Sequence, residues 1–467
     1  MFCGCSTAWG APPNTQVCPV CLGLPGALPV PNRQAIELAI RAALSTGCEV
    51  RELSRFARKN YFYPDLAKGY QISQFELPLN EHGTLEIETA AGGKKKIGIT
   101  RIHLEEDAAK NLHGVGAGTD TLVDFNRAGV ALIEIVGGPD LRSADEAVAY
   151  LDALRDILMF AGVNDGNLEE GSFRCDANVS IRPVGQEAFG TRAELKNINS
   201  FRFVKKAIEH EIARQEALLS SGGKVVQETR TWSEAQGKTL SLRSKEEAHD
   251  YRYFSDPDLP PLSVDPKWIA EVRATLPIAP AARRASWRSE LGLTEYDARV
   301  LSGHPAIARF FERAVEQTAS ATKQSESAVG KKVANFVQGE VLRVSSTSGL
   351  EMRAPVSPER VAELLALIED GTINGKIAKD VLAEMVETGK APRAIVDARG
   401  LAQVTDAGAI EAAVRKVVGD HPGEVEKYRA GKVSLRGFLV GQIMKATRGT
   451  ANPAIVNQLL DQVLAEA

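Results

Sequence analysis

Four cysteines near the start of the chain form two close pairs. Cys3 and Cys5 make one pair, and Cys18 and Cys21 make the other, with twelve residues between the pairs. Each pair can present two sulfurs from a single turn, and the intervening loop is long enough to bring the pairs together. Pro19 favours a knuckle over a helix or a strand. The spacing predicts a structural zinc site, because four thiolates leave no open position for a substrate. The alternative is a group of reduced thiols without a metal.

Size and composition limit the class of protein. The chain has 467 residues, which is too long for one core and predicts about three domains. No apolar run reaches transmembrane length, no signal peptide precedes Cys3, and Cys48 and Cys175 stand alone. We therefore expect a cytoplasmic protein without a membrane partner. The net charge of -4 argues against nucleic-acid binding over the whole surface but leaves room for a local basic patch.

The first half of the chain mixes strand and helix patterns. Asn32 is placed to cap a helix, and residues 85–89 and 97–104 read as strands joined by a turn. Residues 130–136 predict a buried strand. Ser143, followed three residues later by an acid, predicts a capping box at the start of another helix.

The second half is dominated by the helical period. A stiff, proline-rich stretch at 256–262 predicts the boundary. Beyond it, apolar stripes at 361–368 and 377–385 each predict a helix. Ser434 is placed to cap a later helix, and Asn452 followed by proline opens the last one. The predicted domains are residues 1–262, 263–395 and 396–467.

Two neighbouring strand-like runs carry the strongest chemical pattern. Alternation along 173–182 and 191–198 places Asp176 and Glu194 on polar faces beside basic residues, and the short connection suits a hairpin. Carboxylates mixed with cations suit metal-assisted phosphoryl chemistry, because acids hold Mg²⁺ and cations balance phosphate oxygens. A solvated sheet face with alternating salt bridges explains the same pattern.

Three consecutive acids at 105–107 follow the strand predicted at 97–104. They can supply a ligand for a hard cation, or they can be the acidic start of a helix. His103 is interpreted as a packing or hydrogen-bonding residue. Standard nucleotide-binding motifs are absent: the Gly-Lys-Thr run at 237–239 lacks the required glycine at position 232, which is Trp232.

The tail contains a basic run without any acid between Lys427 and Arg448. Interspersed glycines would let a backbone approach closely, so the run suits a phosphate backbone. A solvated cationic helix face is the alternative. The basic residues of the run are Lys427, Arg429, Lys432, Arg436, Lys445 and Arg448.

Nine stretches of the sequence together match one family. They are KNYFYPD at 59–65, HLEEDA at 103–108, LVDFNRAG at 122–129, LIEIV at 132–136, EEGS at 169–172, RCDAN at 174–178, ELKN at 194–197, DYRYF at 250–254 and GFLVGQ at 437–442. In this order they resemble the GatB family, the B subunits of bacterial glutamyl-tRNA(Gln)/aspartyl-tRNA(Asn) amidotransferases. The resemblance covers nearly the whole chain, and the motifs in combination are highly specific.

The resemblance implies an α+β fold with a cradle-like catalytic domain of mixed sheets, an all-α helical domain and a small helical tail domain that binds tRNA. It also implies a ligase that uses glutamine as amide donor. In this family the side-chain carboxylate of Glu-tRNA(Gln) or Asp-tRNA(Asn) is phosphorylated by ATP, and ammonia then displaces phosphate. The ammonia comes from the A subunit, a glutaminase, and the C subunit braces a heterotrimer.

The resemblance also implies site residues. By position, Glu106, Asp176 and Glu194 match acids that bind Mg²⁺ in the family, and the cysteine knuckle matches its zinc site. Three basic residues are weaker candidates for contacts to the ATP phosphates: Arg182, Arg192 and Lys196.

The sequence departs from the family pattern in two ways. Ala131 and Gly137 stand where a proline and a small hydroxyl residue are usual, which leaves the resemblance intact. Family members also begin with a strand, ahead of the knuckle, that carries an acid and a histidine of the metal site, whereas here Met1 lies two residues before Cys3. From this we expect the chain as written to be catalytically incomplete.

A different class remains as the alternative. A non-catalytic, zinc-bearing protein that serves in RNA binding or assembly would explain the knuckle and the basic tail. It would not explain why Glu106, Asp176 and Glu194 occur together.

Overall fold

The structure is a computed structural model that describes residues 1–113, 120–244, 251–403, 407–447 and 450–466. The chain divides into two compact units, Met1–Pro280 and Ala281–Ala467. The first unit mixes strands and helices, and the described part of the second is almost entirely helical. This content agrees with the predicted α+β class, while the cradle shape of the first domain stays a prediction.

The first unit contains two four-stranded sheets and several smaller ones. Its strands are β1 (Glu49–Val50), β2 (Leu53–Ser54), β3 (Ala57–Asn60), β4 (Tyr70–Ser73), β5 (Asn80–Glu88), β6 (Lys94–Glu106), β7 (Lys110–His113), β8 (Thr121–Asp124), β9 (Ala131–Gly137), β10 (Cys175–Val179), β11 (Ala193–Ile198), β12 (Glu228–Ser233), β13 (Lys238–Ser244), β14 (Phe254–Ser255) and β15 (Leu262–Ser263). The order β1-β5-β6-β9 makes the first large sheet, which is antiparallel. The order β10-β11-β12-β13 makes the second, which is mixed because β11 and β12 run parallel. The smaller sheets are β14-β3-β4, β15-β2 and β7-β8.

Four α-helices and one short 3₁₀ turn complete the first unit as described. They are α1 (Arg33–Ser45), α2 (Ala144–Phe160), α3 (Phe201–Ser220), α4 (Pro266–Ala274) and the turn Phe125–Arg127. Helix α2 packs on β5, α3 packs on β10 and β11, and the two helices pack on each other. One hydrophobic core therefore joins both large sheets through this helix pair.

The predicted helix starts are confirmed, with one difference in detail. The Asn32 side chain accepts hydrogen bonds from the N–H groups of Gln34 and Ala35 at the start of α1. The Ser143 side chain accepts one from the Glu146 N–H at the start of α2. The Glu146 carboxylate does not close the capping box on Ser143 but accepts from the Arg142 N–H instead, at 2.7 Å.

The prediction of a buried strand at 130–136 is wrong in its burial. The strand exists as β9, but Ala131, Glu134 and Gly137 are exposed and the residues between them are half-buried. The reason is its position, since in the described chain β9 lies at one edge of its sheet and pairs with β6 alone. An edge strand buries less of its side chains than a central one.

The first unit extends beyond the boundary predicted at residue 262. Val264 and Val272 belong to a second hydrophobic core, together with Ile36 and Ile40 of α1, and Leu276 packs against it. Residues 263–280 thus lie with the first unit because their apolar side chains complete its core. The further division at residue 395 stays a prediction.

The second unit confirms the helical pattern predicted from the sequence. Its α-helices are α5 (Pro280–Glu290, which begins at the last residue of the first unit), α6 (Glu295–Leu301), α7 (Pro305–Thr322), α8 (Glu326–Phe336), α9 (Pro358–Glu369), α10 (Gly375–Thr388), α11 (Pro392–Arg399), α12 (Ala407–Asp420), α13 (Pro422–Arg429), α14 (Leu435–Ala446) and α15 (Pro453–Glu466). A π-helical turn (Val337–Val341), a 3₁₀ turn (Leu342–Val344) and a hairpin of β16 (Ser346–Ser348) and β17 (Glu351–Arg353) follow α8. The last four helices share a hydrophobic core.

Two helix starts in the tail were predicted, and their outcomes differ. The Asn452 side chain accepts hydrogen bonds from the N–H groups of Ala454 and Ile455, as expected at the start of α15. Ser434 precedes α14, but its own backbone is helical and its side chain makes no capping hydrogen bond. None of the helices in the described ranges is long and apolar enough to cross a membrane.

Candidate active site

The predicted hairpin forms and brings three of the predicted site residues together. Strands β10 and β11 pair antiparallel, with Asn178 opposite Glu194. The Lys196 ammonium donates a hydrogen bond to Asp176 Oδ2 at 2.6 Å and lies 3.4 Å from Glu194 Oε1. Glu194 Oε2 accepts a hydrogen bond from the Thr229 hydroxyl of β12, at 3.1 Å. The polar face thus holds one ammonium between two carboxylates.

The environment of Lys196 keeps its side chain charged. Burial alone would lower the pKa of Lys196, but the charges and hydrogen bonds of Asp176 and Glu194 outweigh burial and raise this pKa above its ordinary value. A site that stabilises an ammonium has the negative potential that a metal cation also requires.

The third predicted ligand, Glu106, lies in a different sheet. Its carboxylate pairs with the Lys68 ammonium and accepts a hydrogen bond from the Ile72 N–H at 2.9 Å. In the described chain, the clusters of acids, histidines or cysteines with ligand atoms within 4.8 Å of one another include neither Glu106, Asp176 nor Glu194. The three acids do not form one compact ligand set in this structure, and their role as magnesium ligands stays a prediction.

A cluster that the sequence analysis missed lies beside Glu106. His103 Nε2 lies 3.0 Å from Glu105 Oε1 and 3.6 Å from Glu134 Oε2. All three residues offer ligand atoms within 4.8 Å of one another. Burial raises the pKa of Glu105, but the hydrogen bond with His103 and the charge of Lys59 outweigh burial and lower it overall. Because β6 and β9 pair with His103 opposite Glu134, a correct register for these strands would have revealed the cluster.

Aromatic rings border the acids at the end of β6. The rings of Phe75 and Tyr253 stack in parallel, with centroids 4.3 Å apart, and Tyr251 lies edge-on to Tyr253 at 6.1 Å. Burial, together with the charges of Glu105 and Glu134, raises the pKa of Tyr253. This pKa shift places the Tyr253 hydroxyl within the electrostatic field of Glu105 and Glu134.

The last of the three consecutive acids, Asp107, anchors two arginines. Asp107 Oδ2 accepts from Arg127 Nη2 at 2.7 Å and from Arg174 Nη2 at 2.8 Å. Arg127 also donates to the backbone carbonyls of Glu170 and Gly171, both at 3.0 Å. Strand β7 follows these acids, so the alternative that they begin a helix is wrong. Asp107 instead ties the end of β6 to the segment that leads into β10.

The remaining candidates for phosphate contacts lie around the hairpin. Arg182 donates to the Glu187 carbonyl, and its guanidinium lies over the Phe189 ring, 4.6 Å from the centroid. Arg192 is exposed one residue before β11. The Arg182 guanidinium therefore binds within the hairpin loop, whereas Arg192 and Arg174 are exposed residues that directly precede β11 and β10.

The four cysteines predicted as zinc ligands come together. The sulfurs of Cys3, Cys5, Cys18 and Cys21 lie within 4.8 Å of one another, and those of Cys18 and Cys21 are 3.8 Å apart. Tetrahedral zinc with Zn–S bonds of about 2.3 Å sets sulfurs about 3.8 Å apart, so the cluster fits the ion. The thiols shift in opposite directions: burial raises the pKa values of Cys5 and Cys21, whereas at Cys18 hydrogen bonds from the backbone of Cys21 and Val20 outweigh burial and lower the pKa to about 7. Cys18 is therefore the member of the cluster whose thiolate is favoured without a metal.

The tail places its basic residues in two groups. Lys427, Lys432 and Lys445 are exposed. Arg436 donates two hydrogen bonds to Asp461, both at 2.8 Å, and Arg429 donates to the Leu464 carbonyl at 3.3 Å. Arg448 lies outside the described residues. The three lysines are therefore better placed for phosphate contacts than the two arginines.

Comparison with known proteins identifies relatives along the whole chain. Residues 1–270 match the family described as the GatB/GatE catalytic domain, and residues 309–464 match the family described as the GatB domain. The B subunit of the aspartyl/glutamyl-tRNA(Asn/Gln) amidotransferase of Geobacter sulfurreducens is 56% identical over 463 residues, which are 98% of this chain and 95% of that protein. The protein of the same name from Myxococcus xanthus is 54% identical over 467 residues, and that from Carboxydothermus hydrogenoformans is 52% identical over 469. Each of these two matches covers 100% of this chain and 95% of the relative.

Proposed function

The chain belongs to the GatB family, and we propose that it acts as the B subunit of a tRNA-dependent amidotransferase, a ligase that forms a carbon–nitrogen bond with glutamine as amide donor. The observation that carries the proposal is identity of 52–56% over at least 98% of the chain to proteins that bear this name. The alternative of a non-catalytic protein for RNA binding or assembly is not favoured, because the matching family of residues 1–270 is described as a catalytic domain.

The proposed reaction has two steps. First, an oxygen of the side-chain carboxylate of Glu-tRNA(Gln) or Asp-tRNA(Asn) attacks the γ-phosphorus of ATP, and ADP leaves with the electrons of the broken P–O bond. Second, ammonia attacks the acyl carbon, phosphate leaves with the electrons of the C–O bond, and the nitrogen loses a proton to give the amide. The first step is needed because oxide is a very poor leaving group, whereas phosphate is a good one.

The polar face of β10 and β11 supports this chemistry. Asp176 and Glu194 already hold a cation, the Lys196 ammonium, so their oxygens suit Mg²⁺. The other candidate ligands, Glu106 and the cluster of His103, Glu105 and Glu134, belong to the first sheet. When bound, magnesium would neutralise charge on the transferred phosphoryl group.

Cationic side chains of the same region would bind the phosphate oxygens of ATP. Arg192 is exposed one residue before β11, Lys196 lies between the two carboxylates of the hairpin, and Arg174 precedes β10 with its side chain 59% exposed. Arg127 orients Arg174 indirectly, because both guanidinium groups bind one oxygen of Asp107. A planar guanidinium suits phosphate recognition through paired hydrogen bonds.

The proposal includes partners, cofactors and location. Ammonia would come from the A subunit, a glutaminase, with the C subunit completing a cytoplasmic heterotrimer, and the four-cysteine knuckle would bind structural zinc. Mischarged tRNA would contact the tail through phosphates, with Lys427, Lys432 and Lys445 as the exposed candidates.

The test is amidation of mischarged tRNA by this chain assembled with its A and C partners. Asp176→Asn and Glu194→Gln are expected to abolish amidation while tRNA binding is retained. Asp145→Asn is the matched control, because Asp145 pairs with Lys205 on an exposed surface of α2 and α3 and should leave amidation unchanged. Full amidation by either hairpin variant would refute the assignment of these carboxylates.

A further inference from the structure

The Lys196 ammonium occupies the position that a cation would take between two candidate metal ligands. Its Nζ atom lies 2.6 Å from Asp176 Oδ2 and 3.4 Å from Glu194 Oε1. Magnesium needs carboxylate oxygens at about 2.0–2.1 Å in a near-octahedral shell. The ammonium and a divalent cation therefore cannot share these two oxygens at the same time.

The surroundings of Lys196 allow its ammonium to leave. The Lys196 side chain is 35% exposed and that of Asp176 is 47% exposed, so the pair opens toward solvent. Glu194 is held more firmly, at 19% exposure and with the Thr229 hydroxyl on its other oxygen. A lysine carries its charge on a flexible four-carbon stem, so the ammonium can move by several ångströms without a change in the backbone.

We propose that Lys196 is an exchangeable positioning residue. In the metal-free protein its ammonium holds Asp176 and Glu194 together, and a divalent cation that binds these two carboxylates displaces it. The released ammonium then contacts phosphate oxygens of the substrate. The inference rests on the proposed function for the metal site. It adds that cation binding and phosphate binding are coupled through one side chain.

The exchange predicts a change in the reactivity of the Lys196 amine. Saturating Mg²⁺ should increase acetylation of Lys196 by trace acetic anhydride about three- to ten-fold, because the amine loses two carboxylate partners. The label is quantified by peptide mass spectrometry on the full chain. Lys205, which pairs with Asp145 on the exposed surface, is the internal control and should not change. Unchanged labelling of Lys196 in saturating Mg²⁺ would overturn the exchange.

A second measurement separates exchange from simple bracing of the hairpin. Removing a competing ammonium should tighten Mn²⁺ binding, so Lys196→Met should lower the Kd for Mn²⁺, followed by electron paramagnetic resonance, about three- to five-fold. Lys196→Arg keeps a competing cation and should return the Kd toward that of the wild type. If Lys196 only braces β10 against β11, Lys196→Met should weaken Mn²⁺ binding instead. Lys205→Met is the matched control and should bind as the wild type does.

Asp176→Asn distinguishes failure of this inference from failure of the proposed function. If Asp176→Asn leaves Mn²⁺ binding unchanged, the carboxylates of the hairpin are not metal ligands, and both proposals fail at this site. If Asp176→Asn weakens Mn²⁺ binding and Lys196→Met does not tighten it, the metal site stands and the exchange of Lys196 is refuted.

Discussion

Replacing Asp107 by asparagine should destabilise the first unit more than the loss of an exposed ion pair would. The Asp107 side chain is 7% exposed, and its Oδ2 atom accepts three hydrogen bonds, two from Arg127 and one from Arg174. The two arginines differ in burial, at 28% exposure for Arg127 and 59% for Arg174. Asp107→Asn keeps the shape of the side chain and removes its charge.

The magnitude follows from these exposures. Hydrogen bonds to charged groups contribute about 1.5–3 kcal/mol each, and exposed ion pairs contribute about 0–1 kcal/mol. The hydrogen bond from the exposed Arg174 therefore contributes little to the free energy of unfolding, and the two hydrogen bonds from Arg127 contribute most of the loss expected in Asp107→Asn. We expect Asp107→Asn to lower the free energy of unfolding by about 2–3 kcal/mol, because the charge of Arg127 is left without its carboxylate. Asp145→Asn, in an exposed pair, should cost about 0.5 kcal/mol or less.

The assay is urea unfolding followed by tryptophan fluorescence, to which Trp9, Trp232 and Trp268 of the first unit contribute. Double-mutant cycles isolate each contact. The cycle of Asp107→Asn with Arg127→Met should give a coupling energy of about 2 kcal/mol, and the cycle with Arg174→Met one below about 1 kcal/mol. Equal coupling energies for the two arginines would refute the argument that burial decides the strength of these bonds.

Three further predictions test other parts of the chain. Metal analysis of the purified protein should find one zinc per chain, lost in Cys18→Ser; a wild type without zinc would contradict the cysteine site. Burial raises the pKa of Glu211, but hydrogen bonds from Arg214 and Gln215 outweigh burial and lower this pKa below its ordinary value of 4.5. The ionised Glu211 side chain therefore contributes to stability above pH 4.5, and this contribution is lost as the pH falls through the pKa of the folded protein. In urea titrations, the free energy of unfolding of Glu211→Gln should therefore fall less steeply below pH 4.5 than that of the wild type. The same pH dependence in both proteins would contradict this role of Glu211. Changing Lys427, Lys432 and Lys445 to glutamine should weaken tRNA binding and reduce its salt dependence by about 0.9 in log–log slope per lost phosphate contact, whereas an unchanged slope would indicate a merely solvated face.

The hairpin shows what alternation along a strand can and cannot predict. The period of two correctly assigned the polar face with Asp176 and Glu194, and the strands pair antiparallel as expected. Which cation meets which acid depends on register, and the register of β10 and β11 shifts by a bulge between Cys175 and Ala177. A bulge of one residue changes every cross-strand neighbour beyond it, and no local pattern in the sequence marked its position.

The cluster of His103, Glu105 and Glu134 shows a second limit of prediction from the sequence. His103 and Glu105 are two residues apart and share a face by simple alternation, which the sequence contains. Their third partner, Glu134, comes from β9, which was expected to be buried and instead lies at the edge of the sheet in the described chain. An apolar run predicts a strand well, but its place in the sheet is set by long-range pairing.

Each of four acids in and next to the two large sheets is paired with a cationic side chain of the same chain, and this pairing affects how a metal ion can bind. Glu106 is paired with Lys68, Asp107 with Arg127 and Arg174, and Asp176 and Glu194 with Lys196. Each of these four carboxylates thus has a cationic partner in the same chain before any ligand binds. A divalent ion alone must displace a cation and leave it without a partner, which opposes its binding. A divalent ion that arrives with a polyphosphate brings new anionic oxygens for the displaced lysine and the neighbouring guanidinium groups. For the proposed metal site, we therefore expect metal and nucleotide to enter together rather than the metal first.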